Sequence, residues 1–266
     1  MWGFFRALGA GATYPLRAIA QFRRTPRLLG YVAIPLMLNI LIGIGLYLGL
    51  LRPGWAWINQ VMGEFALAWQ GWIANLPTWL GFLGALAIGF SWAAKGLLIL
   101  GLLLLVGFLL AQFGALLGSP WYGQLSEQLE RLQRGQVEMV PVGLVRELGR
   151  AIVFELKKLL LLVTFGFGFF LLNFFPGLGS VVASVGSITL ATALICLDFL
   201  DPPLERRRLG FRQKLGFIFG ALPGSASFGL VCLGLVSIPL INLFTVPICI
   251  AAGTLFYCDL VTTKTP

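Results

Sequence analysis

Three arginines fall within five residues, at Arg23, Arg24 and Arg27, and residues 1–28 contain no acid to neutralise them. A guanidinium offers donors in a planar fork that matches two oxygens of a tetrahedral oxyanion. Pro26 suits the opening of a helix. Free backbone N–H groups near Leu28 and Leu29 are then expected to add dipolar attraction for the same anion. Arg23, Arg24, Arg27 and Leu28 are the candidate anion-binding residues. The alternative is that these arginines hold phospholipid headgroups and set topology.

A second group of residues marks breaks in apolar helices. Pro176-Gly177-Leu178-Gly179 interrupts an apolar stretch, and Ser180 opens the next arm. A turn placed inside a membrane would leave that arm's first N–H groups pointing at depth, as in broken-helix anion sites. The plainer alternative is that glycine and proline only make the bend. Asn39 lies one turn beyond Pro35, where its amide can satisfy a freed carbonyl or face a polar pathway. Ile34-Pro35-Leu36 with Asn39 is echoed by Ile238-Pro239-Leu240 with Asn242. Asn39, Gly177, Gly179, Ser180 and Asn242 are the pathway or turn candidates.

Other chemistry finds little support. The chain has no histidine, and Cys196, Cys232, Cys249 and Cys258 show no CxxC spacing. A zinc site or a Cys–His nucleophile is therefore not expected, and the thiols read as packing residues. No Walker A sequence is present, so ATP-driven transport by this chain alone is not expected. Asp198 and Asp259 lie at the ends of apolar segments, whereas a proton relay needs acids within the membrane. Passive permeation fits better than coupled pumping. No enzymatic activity, metal or cofactor is expected.

The elements that must position these residues follow from composition. Of 266 residues, 58% are hydrophobic and 11% charged, with mean hydropathy +0.92. A soluble domain carries about 25% charged residues. So few charges cannot cover a soluble surface of this size, so the chain reads as an integral membrane protein. The net charge of +9 sits between apolar runs, as the positive-inside rule requires. No basic stripe interleaved with aromatics suggests nucleic acid as a partner.

A single membrane domain over 1–266 is expected. Residues 1–28 read as an amphipathic helix on the cytoplasmic membrane surface. The uncharged run 29–51 is a span, kinked at Pro35. Residues 52–79 hold Trp55, Trp57, Trp69, Trp72 and Trp79 and read as an external interfacial segment. Residues 80–117 divide at Lys95 into an interfacial piece and a second span. Residues 118–158 form cytoplasmic helices. Ser119-Pro120 is read as N-cap and N1, Leu125, Leu129 and Leu132 as an apolar stripe, and Gly135 as a stop. Glu127–Arg131 and Glu130–Arg134 are i, i+4 pairs. Residues 159–197 and 215–258 are two hairpins, broken at Pro176–Gly179 and at Ile238-Pro239. The arms 159–175 and 180–197 have 17 and 18 residues, short for a full span. Residues 198–214 between the hairpins are cytoplasmic, with Arg206-Arg207-Arg208. Gly216, Gly220 and Gly224 read as a helix-packing face.

Several motifs in order carry a family resemblance. They are Thr25-Pro26-Arg27-Leu28, Ile34-Pro35 with Asn39, Gly118-Ser119-Pro120-Trp121-Tyr122, and Pro176-Gly177-Leu178-Gly179. Asp198 with Asp201-Pro202, Phe228-Gly229, Ile238-Pro239-Leu240-Ile241-Asn242, Pro247 and Ala252-Gly253-Thr254 follow. The order and spacing resemble the CysZ sulfate-transporter and etoposide-induced membrane protein family over most of the chain. The resemblance implies long transmembrane helices combined with hemi-penetrating hairpins, a homo-oligomer, and passage of sulfate into the bacterial cytoplasm. It implies an all-α, multi-pass protein of the inner membrane, with lipid and a small anion such as sulfate as partners. The family's Pro-Gly-Leu-Arg-Arg type sequence before the first span departs here to Pro26-Arg27-Leu28-Leu29-Gly30, with Leu29 and Gly30 at the two arginine positions. A non-transporting protein that organises lipid or partner proteins is the other class the wider family allows.

Overall fold

A computed structural model describes residues 2–73, 82–137, 144–175, 177–238 and 241–264. Among these residues the elements are helical throughout, as an all-α membrane protein requires. They are α1 (Trp2–Arg24), a 3-10 turn (Pro26–Leu29), α2 (Gly30–Leu46), a π turn (Tyr47–Leu51) and α3 (Arg52–Ile73). Then come α4 (Phe82–Arg134), α5 (Leu144–Leu172), α6 (Leu178–Arg206), α7 (Phe211–Gly220), α8 (Gly224–Val236) and α9 (Asn242–Lys264). The stretches Pro26–Trp72, Ile88–Gly107, Leu178–Arg206 and Leu243–Thr262 are long and apolar enough to cross a membrane.

The chain divides into two units, one of residues 1–33 and 120–266 and one of residues 34–119. In the first, α6 is the central helix. Glycine lets its neighbours enter the space a side chain would fill. A Cβ at Gly253 of α9 would stand 2.3 Å from the Phe199 carbonyl of α6. One at Gly229 of α8 would stand 2.5 Å from Cys196 Sγ, and one at Gly186 of α6 would stand 2.4 Å from the Phe169 ring of α5. α1 meets α8 the same way: a Cβ at Gly11 would stand 2.1 Å from the Gly224 carbonyl. Small-residue contacts bring helices together where apolar surroundings give no hydrophobic drive. Around them Leu197, Leu200, Leu204, Phe228, Ala251, Ala252 and Phe256 are buried. All four cysteines are buried free thiols, consistent with packing.

Polar bonds join the end of α4 to this core. Glu130 of α4 is 0% exposed and takes hydrogen bonds from Arg206 Nη2 at 2.8 Å and from Arg207 Nη2. Arg206 Nη2 also donates to Ser126 Oγ at 3.0 Å, which lies 2.7 Å from the Thr254 hydroxyl of α9. The Arg207 guanidinium stacks 4.7 Å above the Tyr257 ring. Burial alone pushes the Glu130 carboxyl up, but hydrogen bonds and charge from Arg207 and Arg206 outweigh it and hold it below its ordinary range.

In the second unit, the π turn joins α2 to α3 without a break. Pro53 has no N–H to donate, and Arg52 N–H bonds back to the Tyr47 carbonyl five residues earlier. None of Ile88–Gly107, the apolar stretch of α4, is buried.

Several boundaries differ from the sequence expectation. Residues 1–28, expected as one amphipathic helix, form α1 and the 3-10 turn, and α1 docks Tyr14, Ala18 and Phe22 into the core beside α8 and α9. The expected stop near 51 is bridged by the π turn. The expected N-cap at Ser119-Pro120 is absent: α4 runs through Pro120, although the two units divide at that bond. Leu125 and Leu129 are buried, but Leu132 is 53% exposed, so the stripe ends a turn early. Gly135 stops α4 as expected, at φ +73°. The hairpin arms are extended by their charged flanks into helices of 29 residues each: α5 through a flank of Arg, Glu and Lys, which propagate helices well, and α6 through Asp198, Asp201 and Pro202-Pro203 as far as Arg206. The second hairpin's first arm bends by 104° between α7 and α8. That bend dissolves the expected glycine face: Gly216 and Gly220 meet nothing within 4 Å, and only Gly224 packs.

Two outcomes follow from this packing. Gly253→Ala should lower the thermal midpoint of the detergent-solubilised protein, by about 1–3 kcal/mol of overpacking. Gly216→Ala, whose methyl meets open space in a helix interior, should leave the midpoint unchanged or raise it by about 0.5–1 kcal/mol. A Gly253→Ala protein as stable as wild type would remove the close contact with α6. The second concerns Glu130. A carboxyl held lower in the folded than in the unfolded state stabilises fully above the unfolded value of about 4.3 and loses that contribution as pH falls through the folded value. Glu130→Gln strands buried Arg206 and should cost about 3–5 kcal/mol at pH 7. The gap between wild type and variant, followed by thermal unfolding against pH, should narrow below about pH 4.3.

Candidate functional site

The arginines sit where α1 ends. Tyr14, Ala18 and Phe22 recur at four-residue spacing and bury one face, which turns Arg23 and Arg24 outward. Thr25, at φ −131° and ψ 77°, breaks the helix, and Pro26 opens the 3-10 turn that carries exposed Arg27. Arg23, Arg24 and Arg27 make no ion pair or side-chain hydrogen bond among the described residues. Arg17, two turns earlier, contrasts with them. Its Nη1 donates to Asp259 Oδ2 at 2.7 Å, and the Tyr14 hydroxyl donates to the same oxygen at 2.9 Å. Burial, then the charge and hydrogen bond of Asp259, push the Tyr14 phenol up to about 12. Arg17 of α1 is thus locked into the fold, whereas Arg23 and Arg24 at the end of α1 and Arg27 in the 3-10 turn are exposed.

The backbone does not form the expected amide cradle at Leu28. Its N–H donates to the Thr25 carbonyl at 3.1 Å, because the tight 3-10 pattern uses that donor. The Leu28 side chain is 3% exposed and anchors the turn in the core.

The α5–α6 turn is built by Gly177 at φ +86°, a left-handed conformation that favours glycine. A Cβ at Gly179 would stand 2.3 Å from the Leu172 carbonyl, so the two helices close tightly. Ser180 Oγ donates to the Gly177 carbonyl at 2.9 Å, and Asn173 Nδ2 donates to the Phe169 carbonyl at 3.0 Å. These polar side chains bond to their own turn, while Phe174, Phe175 and Leu178 stand exposed around it. The geometry favours the plain bend. Pro176 lies outside the described residues. So do Pro239 and the side chain of Asn242 at the start of α9. Asn39 is buried on α2, and its amide makes no hydrogen bond among the described residues. The structure brings Arg23, Arg24, Arg27 and Leu28 together on one short segment. α1 packs on α8 and α9, whereas Gly177, Gly179 and Ser180 cap the α5–α6 hairpin.

An ionic ladder along α6 escaped the sequence reading. Asp198, Asp201 and Glu205 are spaced i, i+3, i+7 on one helical face. Lys158 of α5 bonds Asp198, Lys214 of α7 bonds Asp201 and Glu205, and Arg150 of α5 holds Glu205 at 2.7 Å. The spacing of the carboxylates was visible in the sequence, but their partners, from 9 to 55 residues away, were not. Arg206 and Arg207, expected in the cytoplasmic segment, are taken by Glu130, and Arg208 reaches Glu205 at 3.3 Å.

Comparison with known proteins bears on what such an arrangement serves. The family described as sulfate transporter CysZ/etoposide-induced protein 2.4 matches residues 14–247. A sulfate transporter CysZ of Pseudomonas syringae pv. tomato is 28% identical over 236 residues, covering 88% of this chain and 86% of that protein. One from Vibrio cholerae serotype O1 is 25% identical over 232 residues, 86% of each. One from Pectobacterium atrosepticum is 24% identical, covering 88% of this chain and 79% of that protein. With the match running from the middle of α1 into α9, across both units, this chain belongs to the sulfate transporter CysZ/etoposide-induced protein 2.4 family.

Proposed function

We propose that this chain is a membrane permease that passes sulfate, or a similar small oxyanion, into the cytoplasm across the bacterial inner membrane. The observation that carries the reading is the group Arg23, Arg24 and Arg27, three exposed cations on one short segment that have no partner among the described residues. Guanidinium donors fit the paired oxygens of sulfate and keep their charge at any physiological pH. The relatives named as sulfate transporters support sulfate as the cargo and a transport role rather than catalysis. Flux is passive in this reading. The carboxylates Asp198 and Asp259, which a proton relay would need free, are each held in an ion pair, with Lys158 and Arg17. Membrane lipid and further copies of the chain complete the assembly. The exposed apolar residues of α5 and α6, among them Phe167, Phe170, Val182 and Val185, support both partners.

Radiolabelled sulfate uptake into proteoliposomes tests the function. Uptake should rise to equal concentration inside and out and stop there, with no dependence on an imposed proton gradient. A correctly inserted protein that passes no sulfate would favour a role in organising lipid or partner proteins. Arg27→Ala removes one charge-assisted interaction and should weaken sulfate binding by about 10- to 150-fold, the equivalent of ~1.5–3 kcal/mol. Expression and thermal midpoint should not change, because Arg27 is exposed and unpaired. Unaltered sulfate affinity in that variant would leave the three arginines as a topology signal.

A further inference from the structure

We propose a second anion site, distinct from the arginines of α1: a cavity between α5 and the first turn of α7 that takes the phosphate headgroup of an anionic membrane lipid. The cavity has a volume of about 430 Å³ and is lined by Lys157, Gly210, Phe211, Arg212 and Gln213. Its charges are uncompensated. Lys157 and Arg212 make no ion pair among the described residues. The cations beside them in sequence, Arg150, Lys158 and Lys214, are all bound to carboxylates of α6 or α5. Two positive side chains from different helices thus face one cavity with no acid to satisfy them.

The walls are fixed. Gln213 Oε1 accepts the Gly210 N–H at 2.7 Å, which holds the amide side chain back on the chain. The Phe211 ring packs edge-on against Phe154 at 5.8 Å, and the Lys214 ammonium lies over the Phe154 ring, 4.3 Å from its centroid. Arg212 and Lys157 are therefore carried on anchored helices rather than on a free loop.

The surroundings select an amphiphile over a free ion. Val153, Leu156 and Leu160 of α5 flank Lys157 in sequence and are exposed apolar side chains. An acyl chain can lie along them while the phosphate meets Lys157 and Arg212, so polar and apolar parts of one molecule are both served. Basic pockets of this kind between membrane helices suit phosphate headgroups. This site does not rest on the sulfate reading of the α1 arginines.

Lipid binding to the full chain in detergent, measured by native mass spectrometry, tests the proposal. Phosphatidylglycerol and phosphatidylcholine with matched acyl chains are titrated into wild type, Lys157→Gln, Arg212→Gln and the double variant. The double variant should bind phosphatidylglycerol about tenfold or more weakly than wild type and phosphatidylcholine equally well, with each single variant in between. Lys157→Arg should retain binding. Phosphatidylglycerol should raise the thermal midpoint of wild type more than that of the double variant, a readout that holds if either variant is less stable at the outset. Inorganic phosphate at millimolar concentration should not displace the lipid. Equal phosphatidylglycerol binding by wild type and double variant would overturn the site. Displacement by inorganic phosphate would overturn the lipid as its ligand and leave a pocket for a soluble oxyanion.

Discussion

Close approach at glycine around α6 is the constraint on which the first unit depends. α5, α8 and α9 each reach α6 through a glycine whose missing side chain leaves the space the neighbour occupies. In water, such contacts would be a detail beside the burial of large side chains. In lipid, apolar surface gains little by leaving one apolar medium for another, so proximity and dispersion must hold helices together. That explains why Gly186, Gly229 and Gly253 sit at three crossings of one helix. It also explains why large apolar residues are so often exposed: they face outward because the surrounding medium accepts them.

The end of α6 is organised by a different force. There carboxylates and cations from α4, α5, α6 and α7 pair, several of them deep in the fold. A buried pair gains little net energy, but losing one member is expensive because the other is left without water. Such contacts specify which helices meet more than they add stability. Arg206 makes this clear: its Nη2 ties Ser126 and Glu130, Ser126 meets Thr254, and its Nε is left without a partner among the described residues. The guanidinium thus joins α4, α6 and α9 through one side chain.

What the sequence made legible was local. The stop at Gly135, the Glu127–Arg131 pair at 2.6 Å and the bend at Gly177 follow from rules that act within a turn or two. The motif glycines Gly229 and Gly253 were conspicuous, but the face they serve depends on α6, which is far from them in sequence. The glycine stripe at Gly216, Gly220 and Gly224 was conspicuous for a wrong reason, since the chain bends before the stripe can line a face. Glu130 shows the limit best. Its i, i+4 partner Arg134 stands at 3.5 Å, while the unforeseen Arg206, 76 residues on, stands at 2.8 Å. At the candidate site the arginines were legible as charge, and their exposure followed from the spacing of Tyr14, Ala18 and Phe22. The Leu28 N–H was misjudged because proline can open a 3-10 turn as readily as an α-helix, and the tighter turn takes up that donor.

The π turn at Tyr47–Leu51 has a consequence for phase. Each residue of an α-helix advances the side chains by about 100° around the axis, so one extra residue in a turn rotates everything after it by roughly that angle. The meridian that buries Pro35 and Asn39 on α2 is thereby taken up one residue later along α3, by Gly54, whose would-be Cβ stands 3.0 Å from the Leu102 side chain of α4, and by buried Ile58. The turn acts as an angular offset between two rods that share one axis. Loss of a single residue there would rewind the offset and swing the tryptophan-bearing face of α3 about a quarter-turn away, without altering the length of chain that lipid must accommodate by more than about 1.5 Å.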